Sequence, residues 1–219
     1  MTSKPMTVKH ARETAGKVST GNSKMPGTTY AIDAFACKRG SKLAKVAGTP
    51  CSVCYARKLQ KLRPSVDQGW KANLAKWEAS TDVDQWTQAI AFQIIRYNPD
   101  GYHRWFDSGD LQGTDMLDAI VTVCRMTPAI NHWLPTQEAG FVRQWIDDNG
   151  PLPSNLVVRV SASKIDGALP KGQANTSNVV SSPDKAPGWK CPARDQGNQC
   201  GDCRACWDSE VSNVSYIKH

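Results

Sequence analysis

The sequence predicts an α/β fold, with a parallel sheet curved into a partial (β/α) barrel or left as an open sheet. Short apolar runs alternate with amphipathic stretches from about Tyr30 onward. Over residues 102–160 the order is strand, helix, strand, helix, strand, which calls for crossovers between parallel strands. Residues 26–182 supply 157 positions. At roughly 25–30 residues per unit that makes about five or six βα units, short of a closed barrel.

The elements follow from local pattern. Trp86, Ile90 and Ile94 recur at helical spacing and lead into a strand, Tyr102-His103-Arg104-Trp105-Phe106. The loop Asp107-Ser108-Gly109-Asp110 ends that strand. Thr114 offers an N-cap, and Leu117, Ile120, Val121 and Cys124 give the next helix its apolar stripe. Pro128 stops it, and Ala129 to Leu134 forms a strand that Pro135-Thr136-Gln137 leaves. Phe141, Val142, Trp145 and Ile146 mark a further helix, closed by Gly150. Asn155 to Val160 is a third strand, with Ser161-Ala162-Ser163 at its end.

Three regions result. Residues 1–27, rich in Lys, Thr, Ser and Gly, are expected to be a basic flexible arm. Residues 28–182 form the partial barrel with an N-terminal cysteine loop. Residues 183–219, rich in Gly, Pro and Cys, form a metal-held extension of their own.

Composition narrows the function classes. The chain of 219 residues has no apolar run long enough to span a bilayer, and Met1 to His10 lacks the apolar centre of a secretory signal. A reducing cytoplasm is therefore expected, where eight cysteines point to metal or catalysis rather than disulfides. Charge is uneven. Residues 1–76 hold 15 Lys or Arg against Glu13, Asp33 and Asp67, so nucleic acid is one expected partner and a solvated basic surface the alternative. Lys58, Lys61 and Arg63, in the basic segment Lys38 to Arg63, are the candidate phosphate contacts.

The cysteines divide into sets. Cys124 lies on an apolar helical stripe and is expected to pack as a small hydrophobe. Cys191, Cys200, Cys203 and Cys206 follow C-x8-C-x2-C-x2-C. Two successive C-x2-C steps wrap one cluster as ferredoxin loops do, which favours [4Fe–4S], with zinc the alternative. Cys37, Cys51 and Cys54 supply three thiolates and leave a cluster's fourth corner open. A histidine or a C-terminal cysteine completing a structural site is the rival reading. His10, His103, His132 and His219 each stand alone in sequence.

Cys51-Ser52-Val53-Cys54-Tyr55-Ala56 resembles the C-x2-C-Y-A end of the cluster loop of radical S-adenosylmethionine proteins. Phe106 to Asp110 is similar to their strand-end Gly-Gly-Glu element. Leu134 to Gln137 is similar to the Thr-Asn-Gly after the third strand, and Val160 to Ser163 to the fourth-strand end. The resemblance implies cofactor contacts from Tyr55, Ser108, Gly109, Asp110, Ser161 and Ser163, with Asp110 on the methionyl amine and Ser161 or Ser163 on the ribose. It also implies a labile iron at the open corner, whose loss leaves a [3Fe–4S] species, and a second, auxiliary cluster on the C-terminal set. Two departures stand against it: Cys37 and Cys51 are fourteen positions apart where that family spaces its first two cysteines closely, and Ser-Gly-Asp replaces Gly-Gly-Glu.

Phe35 to Leu43, the Cys-Tyr-Ala, the Ser-Gly-Asp-Leu-Gln and Cys200 to Trp207 resemble, more closely, the phage gene-product-eighty-eight domain. That resemblance implies a viral protein in the cytoplasm of a bacterial host. The expectation is thus an iron–sulfur phage protein on a radical-SAM-like scaffold, with radical chemistry on adenosylmethionine its possible activity. The alternative is a non-enzymatic module, stabilised by a cluster or zinc, that binds nucleic acid or a host factor. Substrate and oligomeric state are not legible.

Overall fold

A computed structural model describes residues 5–21 and 23–218. In chain order the elements are α1 (Val8–Ala15), β1 (Thr28–Tyr30), α2 (Lys38–Leu43), α3 (Tyr55–Leu62), α4 (Pro64–Glu78), α5 (Val83–Tyr97), β2 (Tyr102–Trp105), α6 (Thr114–Met126), β3 (Asn131–Thr136), α7 (Ala139–Asn149), β4 (Leu156–Ser161), β5 (Thr176–Val180), β6 (Trp189–Lys190) and β7 (Asn213–Ile217). The seven strands form one sheet in the order β1-β2-β3-β4-β5-β7-β6. Every pairing is parallel, and the sheet does not close. The α/β class and the open parallel architecture agree with the expectation.

Alternating side chains give the sheet two faces. His103, Trp105, His132 and Leu134 lie buried toward the helices. There the His132 ring bonds to Thr127, at the end of α6, over 2.8 Å and accepts from Trp105 Nε1 at 3.2 Å. Tyr102, Arg104, Trp133 and Arg159 point to the opposite, inner face. The helices read from periodicity are present. Asp82 caps α5 by accepting from Gln85 N at 3.0 Å, and Trp86, Ile90 and Ile94 are buried. Gly113, rather than Thr114, occupies the cap position of α6, and Thr114 opens the helix.

The expected arm differs over its described residues; residues 1–4 and 22 lie outside them. Thr7 accepts from His10 N at 3.2 Å and starts α1. Ala11 and Ala15, small residues one turn apart, are fully buried and allow close approach to the core. Asn73 Oδ1 then accepts from Lys17 N at 2.8 Å, and Gln93 Oε1 from Val18 N at 3.2 Å. Two backbone N–H groups of this stretch are thus satisfied by buried amides rather than by water.

The C-terminal region also differs from the extension expected over 183–219. β7 inserts between β5 and β6, so these residues complete the main sheet.

Candidate functional site

The C-terminal ends of β1, β2 and β3 meet around the first cysteine set. After β2 the chain turns sharply: Phe106 adopts φ 53° and Gly109 φ 85°. A side chain at position 109 would run into Ile32, so the turn needs glycine. Asp110, buried, ties this turn to the end of β3. Its Oδ1 accepts from Leu111 N at 2.8 Å and from Thr136 Oγ1 at 2.5 Å, and its Oδ2 accepts from Gln137 N at 2.9 Å. Burial pushes its pKa up to about 7 against the pull of those bonds.

Cys37 precedes α2, Cys51 sits in a 3-10 turn over Pro50–Val53, and Cys54 precedes α3. Thr49 makes that turn by accepting from Ser52 N at 3.1 Å. A methyl group on Gly40 would lie 3.0 Å from Cys37 Cβ, 3.6 Å from Cys37 Sγ and 3.8 Å from Cys51 Sγ. Both sulfurs therefore converge over the one face of α2 that carries no side chain. Burial, with Asp110, Cys54 and Cys51 close by, pushes the Cys37 thiol well above its ordinary range. Burial and the neighbouring Cys54 push Cys51 up to about 11. The raised values keep both groups as neutral thiols. Tyr55, the next residue, donates its hydroxyl to Asp107 O at 2.5 Å.

The second set lies against the inner face. Cys191 follows β6, and its N–H donates to Ser215 O at 2.9 Å. Cys206 lies 3.3 Å from the Tyr216 hydroxyl, and burial pushes its thiol up to about 12. Cys191 and Cys200 are raised by burial first, and also by other cysteines of the set.

Arg159 fixes this loop. Fully buried on β4, it donates from Nε to Cys206 O (3.1 Å), from Nη1 to Thr176 O (3.3 Å) and Val211 O (2.7 Å), and from Nη2 to Ala205 O and Asp208 O (2.7 Å each). These bonds use all five guanidinium protons. Trp207 adds an anchor, donating from Nε1 to His103 O at 2.9 Å with its ring against Tyr102 and Trp133. Between the two sets stands Arg104, 4.6 Å above the Trp133 ring. Burial opposes its charge, but Tyr55, Asp107, Tyr216 and Cys206 outweigh that and raise its pKa.

The region Cys37 to Trp207 thus carries, in this order, the Cys-Lys-Arg-Gly segment, the Cys-Tyr-Ala start of α3, the Ser-Gly-Asp turn and the cysteine loop under Arg159. The gene product 88 family model matches residues 6–209, nearly the whole chain. The chain belongs to the phage gene product 88 family. No curated protein matches it, and no solved structure matches it. No helix among the described residues is long and apolar enough to cross a membrane.

The other expected site residues fall as follows. Ser108 Oγ is buried without a partner. Ser161 and Ser177 share a hydroxyl bond of 3.0 Å, and Ser163 accepts from Arg39 Nη2 at 3.2 Å. Lys58 and Lys61 line a small pocket beside Cys51 and Cys54, with the Lys61 ammonium 5.7 Å from the Phe35 ring centre. Arg63 is exposed between α3 and α4. Cys124 is fully buried, in the core cluster. All eight cysteines are free thiols, and no three His, Cys, Asp or Glu side chains among the described residues are disposed to hold a metal ion. Arg104, Arg159, Tyr216 and Gly40 were not legible as site residues.

Proposed function

We propose that this family member is an iron–sulfur protein. In this reading Cys37, Cys51 and Cys54 hold an open cluster, and Cys191, Cys200, Cys203 and Cys206 hold a closed one. The approach of the Cys37 and Cys51 sulfurs over Gly40, at the strand ends of a parallel sheet, supports the reading. Cys54 would have to move in to complete the set, since no three His, Cys, Asp or Glu side chains among the described residues are already disposed to hold a metal ion. Such a cluster supplies, when bound, electron transfer and, at an open corner, an iron able to take an outside ligand.

The chain's own part is positioning. Asp110 holds the β2 and β3 ends together beside the first set, and Arg159 holds the second set on the inner face. The raised thiols must lose protons on binding, so loading should be favoured at higher pH. Arg57 and Arg39 favour the thiolate of Cys51.

Adenosylmethionine as the outside ligand rests on the motif resemblance. For Asp110 to take the methionyl amine, it would have to share oxygens already bonded to Leu111, Thr136 and Gln137. The test is electron paramagnetic resonance of reconstituted, reduced protein. A spectrum perturbed by adenosylmethionine in the native chain but not in Cys54→Ala, together with release of 5′-deoxyadenosine, supports radical chemistry. An unperturbed spectrum from a loaded cluster removes that activity and leaves an iron–sulfur protein of another role.

A further inference from the structure

Between α2 and the ends of β3 and β4 runs a groove of about 810 Å³. That volume is within the range of pockets that hold a whole small molecule. Lys38, Arg39, Lys42, Arg143 and Lys164 line it, with Glu138 as the one carboxylate among the described lining residues. The Oε1 of Glu138 is engaged, accepting from the backbone N–H of Arg39 at 2.6 Å, and its single negative charge leaves the five cations in excess. The five cations are exposed, and none of them takes part in the ion pairs seen among the described residues.

Two features give the cations a built setting. Arg39 donates to Ser163 Oγ at 3.2 Å, which orients its exposed guanidinium toward the end of β4. The eleven-residue helix α7 begins within the groove, and no side chain caps its start. Its first N–H groups add partial positive charge beside Gly140, where the space for a side chain is open. Phe141, with Lys38 5.5 Å from its ring centre, adds an aromatic surface.

We propose that this groove binds a phosphate-bearing ligand of nucleotide size. Its phosphates would lie against Arg39, Lys42, Arg143, Lys164 and the start of α7. Ser161 and Ser163, expected above to contact the ribose of adenosylmethionine, line this same groove, but its five cations favour an anionic ligand over that sulfonium cation. The site contains none of the cysteines, so the proposal does not depend on which metal they hold.

The full chain is titrated with pyrophosphate, with ATP and with a short single-stranded oligonucleotide. The double reversal Arg143→Glu/Lys164→Glu should weaken ATP binding about tenfold or more, and Lys58→Glu/Lys61→Glu should change it by less than about twofold. Should the reversal unfold the protein, Lys42→Gln/Arg143→Gln takes its place, with an unchanged unfolding midpoint as the control for fold. ATP binding at least as tight as that of the oligonucleotide supports the proposal, and an oligonucleotide that binds much tighter overturns it in favour of a strand's backbone. No binding of any of the three probes overturns the proposal. So does equal loss in both charge-reversal pairs, which would mean only a diffuse basic surface.

Discussion

Arg159 on β4 and Cys206 in the C-terminal loop are joined by a 3.1 Å hydrogen bond from the guanidinium Nε to the cysteine's carbonyl oxygen. Four further bonds from the same guanidinium reach Thr176, Ala205, Asp208 and Val211. A lysine has three donors on one atom and cannot reproduce that fan. Arg159→Lys should therefore destabilise the protein by about 3 kcal/mol or more, since several buried carbonyls lose a charged donor. Chemical denaturation measures this. Metal content should show the four-cysteine site emptied before the three-cysteine one. A near-neutral Arg159→Lys would mean the loop holds its place without the clamp.

Gly40 makes the opposite kind of prediction, because its role is to be absent. An added Cβ would meet Cys37 Cβ at 3.0 Å and lie within 3.8 Å of the Cys51 sulfur. Gly40→Ala should lower metal occupancy of the first site, and Gly40→Val should abolish it, with the second site loaded as before. Alanine is the better helix former, so the loss would run against propensity. Full occupancy in Gly40→Val would show that the cysteines bind metal away from α2.

Cys124 should behave as an ordinary core residue. It is fully buried, and Asn155 bonds its carbonyl at 2.9 Å, a contact that alanine keeps. Cys124→Ala should cost about 1–2 kcal/mol in a denaturation experiment and leave the metal content unchanged. Loss of metal in this variant would make Cys124 a ligand.

His132 sets a pH dependence. Burial lowers its pKa to about 3, and His103, 5.4 Å away between ring centres, is lowered well below its ordinary value by burial and by His132. The unfolded chain protonates these rings near pH 6.5, whereas the folded chain holds them neutral. Their contribution is therefore complete above that pH and is lost as pH falls toward about 3. Between pH 7.5 and 5 each should cost about 2 kcal/mol of stability. His132→Asn should flatten that slope, and denaturation curves at the two pH values measure it. An unchanged slope would mean that other groups set the acid limit.

Much of the fold was legible because burial and periodicity coincide in it. β2, β3 and β4 are bounded by turn residues, and α5, α6 and α7 carry apolar stripes, so pattern alone located them. β5 and β7 escaped because most of their buried residues are polar: Thr176, Ser177, Asn178, Asn213 and Ser215 lie buried beside Val180, Val214 and Ile217. Thr176 Oγ1 donates to Asn213 Oδ1 at 2.9 Å, and Asn213 Nδ2 donates to Asn178 Oδ1 at 3.1 Å. Hydropathy cannot see a core satisfied by its own hydrogen bonds. α1 escaped likewise, since its buried contacts are only alanines. At the site, the cysteine spacings were legible, but Arg159 sits in the run Leu-Val-Val-Arg-Val, with nothing in sequence to reveal the carbonyls awaiting it. The groove cations are scattered over residues 38–164 and meet only through the sheet.

Metal and sulfide analysis of anaerobically purified protein decides whether the two cysteine sets hold iron–sulfur clusters. A brown protein with iron and acid-labile sulfide in near equal amounts is the expected result. Brief exposure to air should convert the open three-cysteine site to a three-iron species and leave the four-cysteine site intact. Stoichiometric zinc with no sulfide would contradict the iron–sulfur assignment.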